Sequence, residues 1–494
     1  MLIRGRKAWI AALLGFAATI GGGASGRVFS EDVRQPPPRV GPGLDEYRAR
    51  RSTLAGGIRE VEAGSASLRG AIARAEGNER PTPSLLIVVV GKGDAGDDAR
   101  FHQDNDFHYL TGVDIPHASA ILRVNSDSVE ETLYLPPRDR RMERYSGPRL
   151  SPGSEASGKT GFARVAPSTE FLADLFRGMA DRGDGRSSGS TIYLIDTEAK
   201  GSRGSSERGA WLARIIRDGA PGTRVEELAP RVHELRKTKT PAEVALLRRA
   251  IAATGEAQRA VARLAGPKGT ENQLEGAILN AFTANGATRA GFPSIVGSGL
   301  NSTVLHYDRN DRTMEAGDLV VVDIGAEIEG YTADITRTFP VGGRFTPRQR
   351  EIYQLVLDAQ SGAAREVRPG DSTIGSLNRW VVGFFRASPL RAKDDEGVER
   401  TMDHFFPHGL GHHLGLDVHD VGDASKPLKA GQVFTIEPGL YLPLEGFGVR
   451  IEDDYLVTPT GVEKLSASIP SAPDEVERAM AARRDETNAP STHP

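Results

Sequence analysis

The sequence predicts an α+β protein of two folded parts behind a short leader, and three observations carry this. The first half mixes strand-like and helix-like stretches. Leu85–Val90 is a β-branched run of the kind buried in a sheet, with shorter strand candidates at Ala118–Val124 and Thr132–Leu135. The second half opens on helical periodicity (Val244, Leu247, Ile251) over Pro241–Leu264, with Thr240 as N-cap before Pro241. From there to about residue 468, helices alternate with strand hairpins whose apolar runs are broken by carboxylates.

At about 150 residues per domain, 494 residues divide into two or three units. Arg4, Arg6 and Lys7 precede an apolar run from Ala8 to Ile20 and the small residues Gly21 to Gly26. This is the basic, apolar and small-residue order of a secretory signal peptide, so residues 1–26 are expected to be removed on export. The mature chain would then be periplasmic or extracellular. The run is shorter than the roughly 20 residues a spanning helix needs; an uncleaved inner-membrane anchor over residues 8–20 is the alternative. Residues 27–43, with Pro36, Pro37, Pro38 and Pro42, read as a linker. The N-terminal domain is placed at 44–235. Within it, 181–208 is rich in Gly, Ser, Asp and Arg around the strand-like Thr191–Ile195 and reads as surface loop. A boundary near 232–240 leads to a second domain at 236–470. The tail, 471–494, carries one short helix over Pro473–Arg483.

Composition narrows the chemistry. With 38% apolar and 26% charged residues the chain is an ordinary globular one. A net charge of −4 supplies no global basic surface, so neither nucleic acid nor a stable membrane partner is expected. The absence of cysteine removes disulfides, thiolate catalysis, cysteine zinc sites and iron–sulfur clusters. Any metal site must therefore be built from His, Asp and Glu. Gly153-Ser-Glu-Ala-Ser-Gly158-Lys159-Thr160 matches the phosphate-loop pattern, but no core strand precedes it, and Gly161 and Pro167 make a poor helix start. It reads as a surface loop.

The informative residues lie later. Leu319-Val-Val-Val-Asp323-Ile-Gly325 is an apolar strand interrupted by an acid; Glu329-Gly330 turns, and Tyr331-Thr-Ala-Asp334-Ile-Thr-Arg-Thr-Phe339 returns. A hairpin folded about the midpoint of the two acids sets Asp323 opposite Asp334. Two acids inside apolar strands repel and are costly to desolvate unless a cation neutralises them. The competing reading is a solvated face with both acids outward. A second hairpin repeats the arrangement: Val433-Phe-Thr-Ile-Glu437 runs up, 443–448 turn, and Val449-Arg450-Ile451-Glu452 returns, setting Glu437 against Glu452. Between them lies His408-Gly-Leu-Gly-His412-His413-Leu-Gly415-Leu-Asp-Val-His419, whose glycines argue against a helix and allow close approach to a ligand. Four carboxylates and one histidine suit two divalent ions bridged by carboxylates and a water. The oxygen-rich set favours manganese, with cobalt or zinc as alternatives.

His306-Tyr307, Asp323-Ile-Gly325, Tyr331-Thr-Ala-Asp334-Ile-Thr-Arg-Thr-Phe-Pro340, His408-Gly-Leu-Gly-His412, Leu416-Asp-Val-His419-Asp, Ile436-Glu-Pro-Gly-Leu-Tyr441 and Val449-Arg-Ile-Glu452-Asp resemble the pita-bread metallopeptidases. Within that family the likeness is to the Xaa-Pro aminopeptidases. Phe101-His-Gln-Asp-Asn-Asp-Phe-His-Tyr-Leu-Thr-Gly112 and Glu143-Arg-Tyr-Ser-Gly-Pro-Arg-Leu150 resemble the family's creatinase-like N-terminal domain. The resemblance implies a C-terminal pita-bread domain behind a mixed α/β domain. It also implies that Asp323, Asp334, His412, Glu437 and Glu452 hold the two metals. His306, His408 and His419 would be catalytic or substrate-binding, Arg450 would pair beside the site, and Tyr441 would wall the proline pocket.

The implied activity releases the N-terminal residue of peptides with proline second, by attack of a metal-bridging hydroxide. Glu437 would pass a proton to the leaving nitrogen, and His419 or His306 would steady the oxyanion. Peptides are the expected partners, with a homodimer or homotetramer as the assembly. The sequence departs from the family at His108, where tryptophan is usual, and in the apparent insertion at 181–208. Two other readings stay open: a prolidase with the same metal site, and an inactive pita-bread binding module.

Overall fold

Six strands of the first half assemble one mixed sheet whose central strands carry apolar runs with both faces to bury. The computed structural model describes residues 41–75, 85–93, 101–180, 190–197 and 207–487. The leader, most of the expected linker, and 181–189 and 198–206 of the expected surface loop lie outside the described residues. A helix α1 (Leu44–Ala75) precedes strand β1 (Leu85–Val90), helix α2 (Asn105–Thr111) and strands β2 (Ser119–Val124) and β3 (Val129–Leu135). Short helices α3 (Glu143–Ser146) and α4 (Ser154–Thr160), strand β4 (Arg164–Pro167) and helix α5 (Phe171–Ala180) follow. Then come β5 (Thr191–Leu194), α6 (Glu207–Gly219), β6 (Arg224–Glu227) and α7 (Ala229–Lys237). The sheet order is β4-β3-β2-β1-β5-β6, antiparallel through β1-β2-β3 and parallel elsewhere. Every residue of β1 is buried. Leu85, Ile87 and Val89 join the large core, while Leu86, Val88 and Val90 meet Phe171, Leu175, Leu212 and Ile216 on the other face. An unbroken apolar strand is what a sheet covered on both sides requires.

Two expectations change here. Residues 154–160 of the phosphate-loop look-alike form α4 rather than a loop, closed by Gly161 in the left-handed conformation, with Ala156 buried. No strand leads into it, so it lacks the geometry that gathers backbone N–H groups on a phosphate. Residues 191–194 of the expected surface loop are a fully buried strand between β1 and β6.

Helix α7 runs through the expected boundary, and the chain leaves helix only at Thr238–Thr240 before α8 (Pro241–Leu264). Thr240 caps α8 as expected. Its hydroxyl accepts from the Glu243 N–H at 3.3 Å, and the Glu243 carboxylate accepts from the Thr240 N–H at 2.9 Å. Such a reciprocal cap stabilises a helix start by about 1 kcal/mol. Helix α9 (Glu271–Ala284) packs along α8, followed by β7 (Arg289–Ala290), β8 (Ile295–Ser298) and the first hairpin. That hairpin comprises β9 (Leu319–Ile324), β10 (Ala326–Ile328), β11 (Tyr331–Thr332) and β12 (Ile335–Pro340).

The pattern then repeats. Thr346-Pro347 opens α10 (Pro347–Arg365) with the same reciprocal cap to Gln349, and α11 (Ile374–Ala387) packs on it. After a small hairpin of β13 (Arg391–Lys393) and β14 (Glu399–Thr401) comes the second acid-bearing hairpin. Its strands are β15 (Val433–Ile436), β16 (Gly439–Leu442), β17 (Phe447–Arg450) and β18 (Asp453–Val457), edged by β19 (Val462–Lys464). Residues 473–487 form one helix, α12 (Pro473–Thr487), longer than expected. It is part of the domain rather than a tail, because it packs on α8 with Val476 and Met480 buried. Among the described residues, no helix is long and apolar enough to cross a membrane.

Candidate metal centre and active site

Turn chemistry sets the first acid pair. Ile328 pairs with Tyr331, leaving Glu329 and Gly330 as a two-residue turn with φ of 50° and 87°. Positive φ at both positions is the mirror-image turn that matches strand twist. The register it dictates pairs Asp323 with Thr336, not with Asp334. The expected direct opposition is therefore wrong by one diagonal step. Side chains two apart share a strand face, so Asp334 and Thr336 project together and Asp334 sits diagonally from Asp323. Gly325 allows this kink, since a Cβ there would lie 1.8 Å from the Ala333 carbonyl oxygen.

The second hairpin keeps the expected register. Gly439 pairs with Arg450 and Ile436 with Asp453, so Glu437 and Glu452 face each other in the gap between two ladders of the same phase. The 408–415 segment is not helical and runs beside β15. The His412 N–H donates to the Thr435 hydroxyl (3.1 Å), and the Glu437 N–H donates to the Leu410 carbonyl (2.9 Å). Gly411 is needed for that approach, since a Cβ would meet the Thr435 carbonyl oxygen at 2.1 Å.

These elements bring all five expected ligands together. Donor atoms of Asp334, His412 and Glu452 lie within 4.8 Å of one another. His412 Nε2 is 3.3 Å from Asp334 Oδ2 and 3.5 Å from Glu437 Oε1. Asp323 is held by Arg450, whose Nη2 donates to Oδ2 at 2.8 Å. The outward-facing reading fails, because Asp323 is 8% exposed, Asp334 5% and Glu452 1%.

The electrostatics are those of unneutralised acids. Burial, followed by Glu452, Asp323, Glu437 and Asp454, pushes Asp334 well above the carboxylate range. Burial and the Glu437 and Asp323 charges do the same to Glu452. Burial lifts Glu437 to about 7 against the pull of Arg450, with Asp323 adding to the rise. Asp323 Oδ1 and Asp334 Oδ1 are buried and have no hydrogen-bond partner. Orphaned, mutually repelling carboxylate oxygens beside an imidazole fit divalent cations, which would satisfy the lone pairs and remove the repulsion. His412 is preset for the same task. Its Nδ1 lies 3.1 Å from the His413 carbonyl, which can only accept, so Nε2 carries the free lone pair. Burial, aided by His419, lowers its pKa to about 4, so the ring is neutral at pH 7.

The remaining expected residues surround this cluster. Arg450 is fully buried and spans three partners: Asp323, the Thr336 hydroxyl (3.1 Å from Nε) and the Tyr441 hydroxyl (2.9 Å from Nη1). Tyr441 OH, accepting from Arg450, can donate to His408 Nε2 at 2.9 Å, while His408 Nδ1 donates to the Gly409 carbonyl at 2.8 Å. Both His408 nitrogens are thus engaged within the protein, and burial lowers its pKa to about 4. His419 is exposed at the rim, its ring 4.2 Å from that of His412, and His306 is exposed and close enough to act on both His408 and His419. His108 stands apart from the ligands. Its Nδ1 is 2.7 Å from Asp114, and its ring lies beside Gly330 at the tip of the first hairpin.

Three groups escaped the sequence reading. The Thr336 hydroxyl donates to Glu452 Oε2 at 2.7 Å. Asp454, fully buried and pushed up by burial, accepts from the Asp334 N–H at 3.3 Å. Arg337, also buried, clamps the hairpins through the Thr336 and Glu452 carbonyls and Asp453 Oδ1 at 2.7–2.9 Å. Strand alternation from Asp334 to Thr336 and from Glu452 to Asp454 was the available signal for the first two.

Comparison with known proteins agrees with this geometry. The family model of metallopeptidase family M24 matches residues 245–459, and that of the aminopeptidase P N-terminal domain matches residues 92–184. A Xaa-Pro aminopeptidase of Escherichia coli (strain K12) is 36% identical over 430 residues, covering 82% of this chain and 95% of that protein. The structure of proline aminopeptidase P II from Yersinia pestis is similar at TM-score 0.74 and 33% identity, over 89% of this chain and 100% of that one. A zinc-substituted E. coli aminopeptidase P in complex with product is similar at TM-score 0.74 and 33% identity, over 90% and 99%. With its paired acid-bearing hairpins, its N-terminal mixed sheet and these relatives over most of its length, the chain belongs to the pita-bread metallopeptidases of family M24, as a metalloaminopeptidase of the aminopeptidase P group.

Proposed function

We propose that this chain releases the N-terminal residue from peptides with proline in second position, using two divalent ions held by Asp323, Asp334, His412, Glu437 and Glu452. The observation that supports it most is the convergence of four carboxylates on a neutral imidazole, with Oδ1 of both Asp323 and Asp334 buried and unpartnered. When bound, such ions supply Lewis acidity toward the scissile carbonyl and make an attacking water more acidic. The oxygen-rich donors favour manganese, with cobalt or zinc also compatible.

The chain's own groups do the rest. Glu437, its Oε1 3.5 Å from His412 Nε2, is placed beside the cluster to pass a proton to the departing prolyl nitrogen. Arg450 fixes Asp323 and Tyr441 at once, and the Tyr441 ring, locked by Arg450 and His408, forms a wall for a proline ring. His419 and His306, exposed at the rim, are placed to donate to the carbonyl oxygen as charge grows on it. The test is a peptide panel with manganese. A free Xaa-Pro-Xaa peptide should lose one residue, its N-acetylated twin should be inert, and alanine in place of proline should remove most of the rate. Efficient internal cleavage of the acetylated peptide would overturn the assignment. The same preparation tests two further proposals: N-terminal sequencing for removal of residues 1–26 on export, and light scattering for a homodimer or homotetramer.

A further inference from the structure

The N-terminal domain reaches the loop that carries His419 through a polar cluster centred on one buried side chain. Arg236, in the last turn of α7, is 3% exposed. Its Nη1 donates to Asp106 Oδ1 at 2.6 Å, and its Nη2 donates to both Asp417 Oδ2 (2.8 Å) and Asp420 Oδ1 (2.6 Å). Asp106 belongs to α2 and is also 3.0 Å from His233 Nε2. Asn105 adds hydrogen bonds to the Leu416 carbonyl (3.2 Å) and Asp417 Oδ1 (2.8 Å), and Lys239 Nζ takes the other Asp420 oxygen at 2.8 Å. His419 lies between the two gripped aspartates. The Asp420 N–H donates to the His413 carbonyl at 2.8 Å, and that carbonyl is also the acceptor for His412 Nδ1. The grip on Asp420 is therefore one residue from the rim imidazole and one shared carbonyl from the ligand imidazole.

We propose that Arg236 is a positioning residue: by holding Asp417 and Asp420 on either side of His419, it keeps that ring against His412 and orients His412 through the His413 carbonyl. The inference rests on the proposed roles of His412 as ligand and His419 as substrate contact. A planar fork with several donors can hold three carboxylates together, whereas an ammonium at the end of a flexible stem cannot reproduce that geometry. A buried guanidinium spent on a surface-reaching loop, rather than an apolar residue, is what orientation requires.

Arg236→Lys keeps the charge and separates orientation from folding. In the metal-loaded full chain, amide exchange across 413–420 should quicken while the β1–β6 sheet stays unchanged. The kcat on a free Xaa-Pro-Xaa peptide should fall about 10–100-fold, the range for groups that orient metal ligands, with KM little moved. In a His419→Ala background the loss should shrink but not vanish, because one of the two rings being positioned is gone while the link to His412 through the His413 carbonyl remains. Asp417→Asn, which loosens the grip at a half-exposed side chain, should shift the same readouts less and in the same direction. Unchanged exchange at 413–420 would overturn the proposal, as would an equal loss of kcat with and without His419. A wild-type protein inactive on every Xaa-Pro peptide would instead strike the functional reading, and the exchange measurement would still decide the role of Arg236.

Discussion

The two acid-bearing hairpins have the same frame and different contents. Each is backed by a helix opened by a Thr-Pro cap, and each helix sends one buried glutamine across its hairpin. Gln258 donates to the Val322 and Ile335 carbonyls, and Gln360 to the Ile436 and Ile451 carbonyls. Matching positions then differ in charge. Where the first hairpin places Asp323 opposite Thr336, the second places Glu437 opposite Glu452. Where the first carries its diagonal acid, Asp334, the second carries Arg450. The odd partners then cross over, since Arg450 binds Asp323 of the first hairpin and Thr336 binds Glu452 of the second. Neither hairpin is a complete site. The repeated frame supplies geometry, and the differences supply two acids (Asp334 and Glu452), a cation and a hydroxyl that complement each other only when the two halves meet.

Removing an acid from the first hairpin tests whether both halves are needed. Asp323→Ala should bring peptidase activity to background and release at least one metal ion by elemental analysis, while circular dichroism stays native, since β9 and β12 lose a charge and no ladder bond. Wild-type turnover after reloading with manganese would break the comparison.

The next effect is on stability. Arg337→Met removes the guanidinium that ties the Thr336 and Glu452 carbonyls to Asp453, leaving buried acceptors and a carboxylate served by Lys464, Ser466 and Gln360 alone. Loss of one partner of a buried pair costs about 3–5 kcal/mol. Urea unfolding of the metal-loaded protein measures it, and a change below 1 kcal/mol would show that the hairpins hold together without this clamp.

Thr336→Val is subtler. It deletes the crossed-over hydroxyl while keeping the strand shape, and should weaken metal binding about 10–100-fold in a chelator competition, with melting little altered. An unchanged affinity would mean Glu452 is oriented by its own strand.

The smallest effect is a pH trend in the metal-free protein. Asp334, Glu437 and Glu452 are raised above their unfolded values in the fold, so their contribution is fully present below the ordinary carboxylate range and is lost as pH rises. Through Glu437 the loss extends from about pH 4.5 to about pH 7, and the metal-free Tm should drop by several degrees over that window. Saturating manganese should reduce or reverse the trend. A flat metal-free profile would show that the acids do not repel as their burial implies.

Much of this was legible in sequence because its causes are local. The Thr240 cap, the six-residue run of β1, the glycines that deny a helix to 408–415 and the register placing Glu437 against Glu452 all follow from neighbours within a turn or a hairpin. Acids interrupting apolar strands pointed to a cation site, and the family motifs implied five candidate ligands, whose side chains the fold brings together. What local pattern could not reach was decided by backbone twist and distant partners. The pair of positive φ angles at Glu329 and Gly330 moved Asp334 to the diagonal. A glycine after Asp323 opened the kink, and α4 formed where its glycines spoke against a helix. The Arg450–Asp323, Thr336–Glu452 and Arg236–Asp420 contacts each join residues more than a hundred positions apart. Periodicity along one strand says which way a side chain points. Only the packed tertiary structure decides what it meets there, because the energy of a buried charge is set by the partner that neutralises it, wherever that partner lies in the chain.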